Sequence, residues 1–480
     1  MDPIRAALDI LPWWVGWGAL LCLPPLGFVL GWVVAALVGW VAAIPLRRAQ
    51  PSHWVERARL VHPVRIAGAV SLIALPLCLW GLARGAIGPL ARPSPSLVVV
   101  CLAAAGLGAA LMVRSATEAR FREERFRWQQ RLRNGLGSGL VLMPHLIVAL
   151  GLAMILPWHW NGTALAVLAV GTVLLFVAPF GGGLWVGSIL GVVRPASERL
   201  ARAVQDAAAR VGVAPRATHE LELGRAGAFA LPLTKRLIFT VTAVQLLQDE
   251  ELAAIAAHEL GHLREPPRVT AGRLSALLAL LALATGPMVV VSSGWWLYAA
   301  LLLSVVLVLR LVRLLARRME EQADAVARRY EPDRGVYARA LEKLYARNLV
   351  PAVMAGKRQL HPHLYDRLIA AGAQPGYLRP APPPRWPVVA GLFTLALGLA
   401  IATTAASSAR EAMARHGQQS EPWLLLATAL DGGSSGGLAE LAHLREEQDR
   451  RDEAAVLWRA AAACGPAASS SDAPASGPPD

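Results

Sequence analysis

Apolar residues along this 480-residue chain gather into long runs with few charges, separated by stretches dense in arginine. That pattern is neither the period-two alternation of a half-buried strand nor the narrow stripe of a surface helix. A helix crossing a membrane needs about 20 apolar residues to span a hydrocarbon core of ~30 Å. Runs of that order occur at 66–91, 139–158, 163–193, 273–293 and 387–407, with two shorter ones at 96–113 and 295–312. The first run, 11–45, is too long for one upright helix and too short for two at about 1.5 Å per residue. Pro24-Pro25 is expected to break it, leaving one span over 26–45 behind an interfacial stretch that contains Trp13, Trp14 and Trp17. With no basic leader and no small-residue cleavage site, the start does not read as a cleavable signal peptide. About eight spans result.

Between the runs, helical and strand periods reappear. Residues 196–211 repeat apolar positions at helical spacing and end at Gly212 and Pro215. Residues 226–241 predict a β-hairpin: Gly-Ala-Phe-Ala-Leu, a Pro-Leu-Thr-Lys turn, then the β-branched stretch Leu-Ile-Phe-Thr-Val-Thr. A second helix is expected over 249–264, and the proline-rich stretch 380–387 reads as a stiff linker. Residues 438–463 resemble one helix pair of a tetratricopeptide array, and the Ser/Pro/Ala-rich end 465–480 reads as disordered. The order is therefore an N-terminal membrane region (1–193), a water-facing segment (194–272), two spans (273–312), a second water-facing segment (313–386), a last span (387–407) and a tail (408–480).

Composition agrees with this pattern. The chain is 55% hydrophobic and 17% charged, where soluble domains run near 45–50% and about 25%. The charge balance, 47 − 33 = +14, is almost all arginine, since only Lys235, Lys343 and Lys357 are lysines. A pI near 10.6 would suit a nucleic-acid partner, but these charges flank apolar runs instead of forming one patch. Arg47, Arg48, Arg57, Arg59 and Arg65 lie in one connector, and seven arginines from Arg114 to Arg133 in another, which marks both as cytoplasmic. Counting spans onward places 194–272 and 313–386 on that same side and the tail outside. The four cysteines are scattered, and no CxxC offers a zinc or redox site.

The chemistry lies in the charged remainder. His258-Glu259-Leu260-Gly261-His262 is an HExxH on the helix expected over 249–264. Residues four apart on a helix share a face, so both imidazoles can bind one ion, and zinc suits such ligands. The carboxylate of Glu259 can accept the proton of a zinc-activated water. After the next two spans, Glu320 and Asp324 form an ExxxD pair, again four apart. Glu320 is expected as the third ligand and Asp324 as the acceptor that orients a ligand imidazole. The span count puts His258, His262 and Glu320 on one side of the membrane, around one Zn²⁺ per chain.

Gly227-Ala228-Phe229-Ala230, the stretch from Leu237 through HELGH, and EEQAD at 320–324 together resemble the HtpX/CAAX-prenyl-protease family of integral-membrane zinc gluzincin peptidases. The likeness covers about 196–370. It implies a membrane α-helical bundle of about eight transmembrane helices, with a cytoplasmic, mainly-α, zincin-like metalloprotease domain carrying a small β-hairpin. It also implies that His361 stabilises the tetrahedral oxyanion, and that Arg367 buttresses the site or pairs with Asp366 or a neighbour of Glu320. Gly227, Ala228, Phe229 and Ala230 would line the substrate site on an edge strand, although Gly227 stands where the family usually has Asn. The resemblance implies a zinc endopeptidase of polypeptides, with membrane proteins as substrates and membrane protein quality control as its setting. The alternatives are CAAX-type processing of membrane-associated peptides, or a non-catalytic membrane sensor with a vestigial protease core and a tail that binds a protein partner. The composition, common in bacteria of high GC content, points to a bacterial inner membrane.

Overall fold

The computed structural model describes residues 13–49, 53–87, 97–121, 139–156, 160–354, 363–398 and 435–464, with isolated positions at 400, 404 and 425. Among these the chain is mostly helical with one four-stranded sheet. It divides into two compact units: Met1–Ala42 with Ile66–Thr117 and Val388–Asp480, and Ala43–Arg65 with Glu118–Pro387.

The second unit holds the sheet. Its strands are β1 (Val193–Pro195), β2 (Ala217–Leu221), β3 (Ala228–Leu231) and β4 (Arg236–Thr240), in the order β1-β2-β4-β3. β4 is central, parallel to β2 and antiparallel to β3, and four of its five residues are buried. A strand covered on both faces reads as a continuous apolar run, and Leu-Ile-Phe is one. The predicted hairpin is thus β3 and β4, closed by a 3-10 turn at Pro232–Thr234 with Lys235 left-handed (φ 51°). β1 and β2 extend it. Their pairing is braced by Glu220, whose carboxylate accepts from Arg194 (2.9 and 2.7 Å) and from the Ser197 backbone amide (3.0 Å).

Three helices pack around this sheet. In α1 (Glu198–Val211), Leu200, Ala203, Val204, Ala207 and Val211 form the buried face, and Gly212 closes the helix in the left-handed conformation (φ 71°). A short α2 (Val241–Leu246) begins at Thr240, whose hydroxyl accepts from Ala243 N. α3 (Asp249–His262) starts with a capping box in which Gln248 and Glu251 satisfy each other's backbone groups. It is buried almost all round, a placement suited to its run of alanines, which form helix well and allow close approach. Leu252, Ala256 and Leu260 join Phe239, Leu200 and Ala327 in one core.

α4 (Pro267–Ala284) and α5 (Gly286–Tyr330) pack against each other, and α5 returns to cross α3. Gly261 permits that crossing, because a Cβ there would stand 3.0 Å from Ala323 Cα. Gly294, between the runs 273–293 and 295–312, interrupts α5 with φ 81° and ψ 171°. α6 (Val336–Asn348) and α7 (Leu364–Ala370) complete the core. The carboxylate of Glu331 caps α6, accepting from the Gly335 and Tyr337 amides (3.0 and 2.9 Å).

Among its described residues, the basic connector 46–65 is helical rather than a loop. It falls in helices Ile44–Ala49 and Trp54–Ile87, where Val55, Ala58 and Val61 are buried at helical spacing between the arginines. Ala58 and Val61 pack with Leu349, and Arg65 donates to Leu349 O (2.6 Å). Likewise Trp13–Ala42 is one helix that passes through Pro24-Pro25. An interior proline removes one backbone hydrogen bond and can kink a helix without ending it. In the same unit a Cβ on Gly31 would stand 2.2 Å from Gly106 O, the contact of two helices whose backbones meet. Helices Ser435–Glu447 and Arg451–Ala463 pair through Leu438, Leu441, Leu457 and Ala460, with Arg445 buried against Glu453. The end 465–480 lies outside the described residues.

Among the described residues one helix, Met288–Tyr330, is long and apolar enough to cross a membrane. The pair Gly162–Val177 and Phe180–Ile189, bent by 76°, makes a second if it counts as one span. Gly27–Ala42 and Trp386–Gly398 are shorter apolar helices.

Candidate active site

α3 and α5 bring two imidazoles and a carboxylate to one point. Ligand atoms of His258, His262 and Glu320 all lie within 4.8 Å of one another. His258 Nε2 is 3.6 Å from Glu320 Oε2, and His262 Nε2 is 3.6 Å from Glu320 Oε1. Those separations are too long for hydrogen bonds. They are close to the roughly 3.4 Å edge of a tetrahedron of zinc ligands at ~2.1 Å from the metal. The donor set, two neutral imidazoles and one carboxylate with room for a fourth ligand, fits a catalytic zinc ion.

The other ring nitrogens explain why the Nε2 atoms face inward. His258 Nδ1 lies 2.8 Å from the Tyr337 hydroxyl and 3.2 Å from Asp324 Oδ1. Tyr337 donates its hydroxyl to Asp324 Oδ1 (2.7 Å) and accepts from Arg367 Nη2 (2.8 Å), while Arg367 Nε donates to Asp324 Oδ2 (2.8 Å). A phenol oxygen has one proton and two lone pairs, so His258 Nδ1–H as a donor completes its valence. Tyr337, Asp324 and Arg367 are all buried, and the ring of Tyr337 stacks against His258 at 5.8 Å. His262 Nδ1 lies 3.0 Å from Glu265 Oε1. Each imidazole is therefore held from behind, with Nε2 free to ligate.

Glu259 is buried beside this cluster. Burial pushes its carboxyl above the usual range; His258 and His262 pull it down, Glu320 pushes it up, and the Ala230 backbone amide opposes the rise. For His258 the balance differs: burial works against an imidazolium, yet the adjacent carboxylates of Asp324 and Glu320 and the charge of Glu259 push it up to about 9. The pocket thus attracts positive charge, the condition a metal cation satisfies. Burial also lowers the hold of Arg367 on its proton, but Tyr337 and Asp324 outweigh it and keep the guanidinium cationic.

A pH dependence follows for the metal-free protein. A raised pKa means that folded His258 binds its proton more tightly than the unfolded chain, so its contribution is complete below 6.5 and lost as pH rises through about 9. Thermal melting in chelator is expected to fall across that window, and His258→Asn is expected to flatten the slope.

β3, one of the two edge strands, passes this cluster. Phe229 is half-exposed, and Gly227 exchanges backbone and hydroxyl bonds with Thr240 at 2.9 Å. A Cβ at Gly227 would make only ordinary contact with the Phe229 ring, at 3.8 Å. Asn348 pairs with both backbone groups of Ala226 (3.0 and 2.6 Å) and fixes the entry to β3. The structure brings together His258, Glu259, His262, Glu320, Asp324 and Arg367, with Ala230 adjoining. Asp366 pairs elsewhere, with Arg379. His361 lies outside the described residues. Tyr337 and Glu265 were not anticipated from sequence; Glu265, three residues past His262, had a helical-spacing signal, whereas Tyr337 had none.

Residues 195–374 match the model of peptidase family M48, the family of HtpX-like zinc metallopeptidases. That span contains the whole cluster described above, so the likeness to a metallopeptidase family falls on the residues that build the site. No curated protein matches the chain.

Proposed function

From an M48 metallopeptidase domain as the premise, we propose that the chain is a membrane-embedded zinc endopeptidase, with His258, His262 and Glu320 holding the ion and Glu259 as general base. The observation that carries this reading is the convergence of two imidazole Nε2 atoms and the Glu320 carboxylate, each imidazole backed by a carboxylate, with Glu259 alongside. Zinc bound there would lower the pKa of a water toward 7 and polarise a peptide carbonyl. The residues do the rest. Glu259 accepts the proton of the attacking water on its carboxylate and passes it to the amide nitrogen as the C–N bond breaks, giving a carboxylate and an amine. Its raised pKa brings it closer to the pH at which it must both take and give a proton. An extended substrate adds to the free edge of β3 by backbone hydrogen bonds, which seats the scissile bond near Glu259, and Phe229 offers an apolar contact to its side chains.

The membrane setting is supported by the exposed apolar face of α5. Trp296 is 90% exposed, and Leu303, Leu307 and Leu314 are each more than half exposed. Such a surface needs a lipid or protein cover. The flanking arginines favour a cytoplasmic active site, and a cytoplasm-facing protease beside the bilayer suits the removal of damaged membrane proteins.

The full chain, extracted from membranes with detergent, is expected to hold one zinc ion and cleave an unfolded polypeptide such as casein. 1,10-Phenanthroline should abolish cleavage and added Zn²⁺ should restore it. Retained cleavage in metal-stripped protein would overturn the proposal.

A further inference from the structure

We propose that Glu265 is the positioning residue of the second zinc-ligating histidine and that Arg273 fixes Glu265, which ties the metal centre to helix α4; this rests on the zinc-peptidase reading above. After α3 ends, three successive bonds, Leu263 N to Leu260 O, Arg264 N to Gly261 O and Glu265 N to His262 O (3.1, 3.2 and 3.2 Å), wind the chain into a 3-10 turn. That turn curls the Glu265 side chain back beneath His262, where Oε1 lies 3.0 Å from Nδ1. The same Oε1 accepts from Arg273 Nη2 at 2.6 Å.

Two features separate this contact from an incidental helix-end ion pair. First, the Glu265 side chain is only 1% exposed, and its Oε2 is buried with no hydrogen-bond partner among the described residues. A half-satisfied buried carboxylate is unfavourable, and among the described residues the imidazole it contacts is that of His262. Second, the arrangement repeats what surrounds the other histidine: imidazole, then carboxylate, then arginine. His258 has Asp324 and Arg367 from α5 and α7, and His262 has Glu265 and Arg273 from the turn and α4. Donation from Nδ1 fixes the tautomer in which Nε2 faces Glu320. Arg273 stands at the first residue of the apolar run 273–293, so displacement of α4 would move the carboxylate that aims a zinc ligand.

Full-length wild-type protein and the variants Glu265→Ala, Glu265→Gln, Arg273→Met and His262→Ala are stripped of metal and titrated with Zn²⁺ alone against a chelating dye. Co²⁺ serves as the spectroscopic probe. Glu265→Ala is expected to weaken zinc binding about 10–100-fold, with Glu265→Gln and Arg273→Met weakening it less. The cobalt bands should shift in both Glu265 variants while metal-free melting temperatures hold. Zinc affinity within twofold of wild type and an unshifted cobalt spectrum would overturn the proposal and leave the zinc reading intact. A lowered metal-free melting temperature with unchanged metal affinity would make Glu265 merely structural and would also overturn it. If wild type bound zinc no better than His262→Ala, the zinc reading itself would fall.

Discussion

Glu259→Gln protein is expected to keep its zinc and lose hydrolysis, with kcat falling about 10²–10⁴-fold, the range for removing a positioned general base. Glutamine has nearly the shape of glutamate, so α3 and the Ala230 contact should persist, but a neutral amide cannot accept the proton of the attacking water. The metal should remain because the proposed ligands are His258, His262 and Glu320, not Glu259. The checking measurements are zinc content by elemental analysis and cleavage rate on the same preparation. A zinc-loaded variant that cleaved within a few-fold of wild type would remove Glu259 from the mechanism. The same variant, inert but with its metal site intact, is suited to capturing substrates, and membrane proteins retained by it would separate quality control from the processing of short membrane-associated peptides.

The second large effect concerns folding. Arg367 supplies two donors to the buried Asp324 and a third to Tyr337. Arg367→Met is expected to destabilise the domain by about 3–5 kcal/mol, because it leaves a carboxylate in the core without its counter-charge. For a domain of this size that is a fall in melting temperature on the order of 10 °C. Asp324→Asn strands the guanidinium instead and should cost a similar amount. The double variant should lose less than the sum of the two, since neither buried charge then remains unpaired. Melting curves of the four proteins in chelator test this, and additive losses would refute the pairing as the source of stability.

How much of this was legible in the sequence depended on the kind of signal. HExxH and ExxxD can be read because ligand chemistry fixes the residue types and helix geometry fixes the spacing, so both survive without any knowledge of the fold. The β3–β4 hairpin was legible from its turn and its β-branched run. β1 and β2 were not: Val-Arg-Pro and Ala-Thr-His-Glu-Leu carry no clear alternation, and their strand character comes from pairing with each other and with β4. Tyr337 lies 79 residues from His258, and only the folding of α6 onto α3 and α5 brings its hydroxyl to the imidazole. In the arginine-rich stretch 46–65 the charges dominate and suggest a connector, while Val55, Ala58 and Val61 among them carry the helix signal. Pro24-Pro25 suggests a stop because proline removes a helical bond, yet the helix from Trp13 to Ala42 contains both residues.

The ligands also have an order in time. A ribosome makes His258 and His262 first, then the whole of α4 and more than half of α5, and only afterwards Glu320. At roughly 5–20 residues per second, Glu320 follows the two histidines by several seconds. During that interval the nascent chain has the two imidazoles and the Glu259 carboxylate but lacks the third member of the cluster. Arg367, which fixes Asp324 behind His258, comes later still. On the proposed zinc-peptidase reading, a polypeptide cut short anywhere before Glu320 would lack a complete metal site, and hydrolytic capacity would arise only once α5 has been made and has folded back against α3.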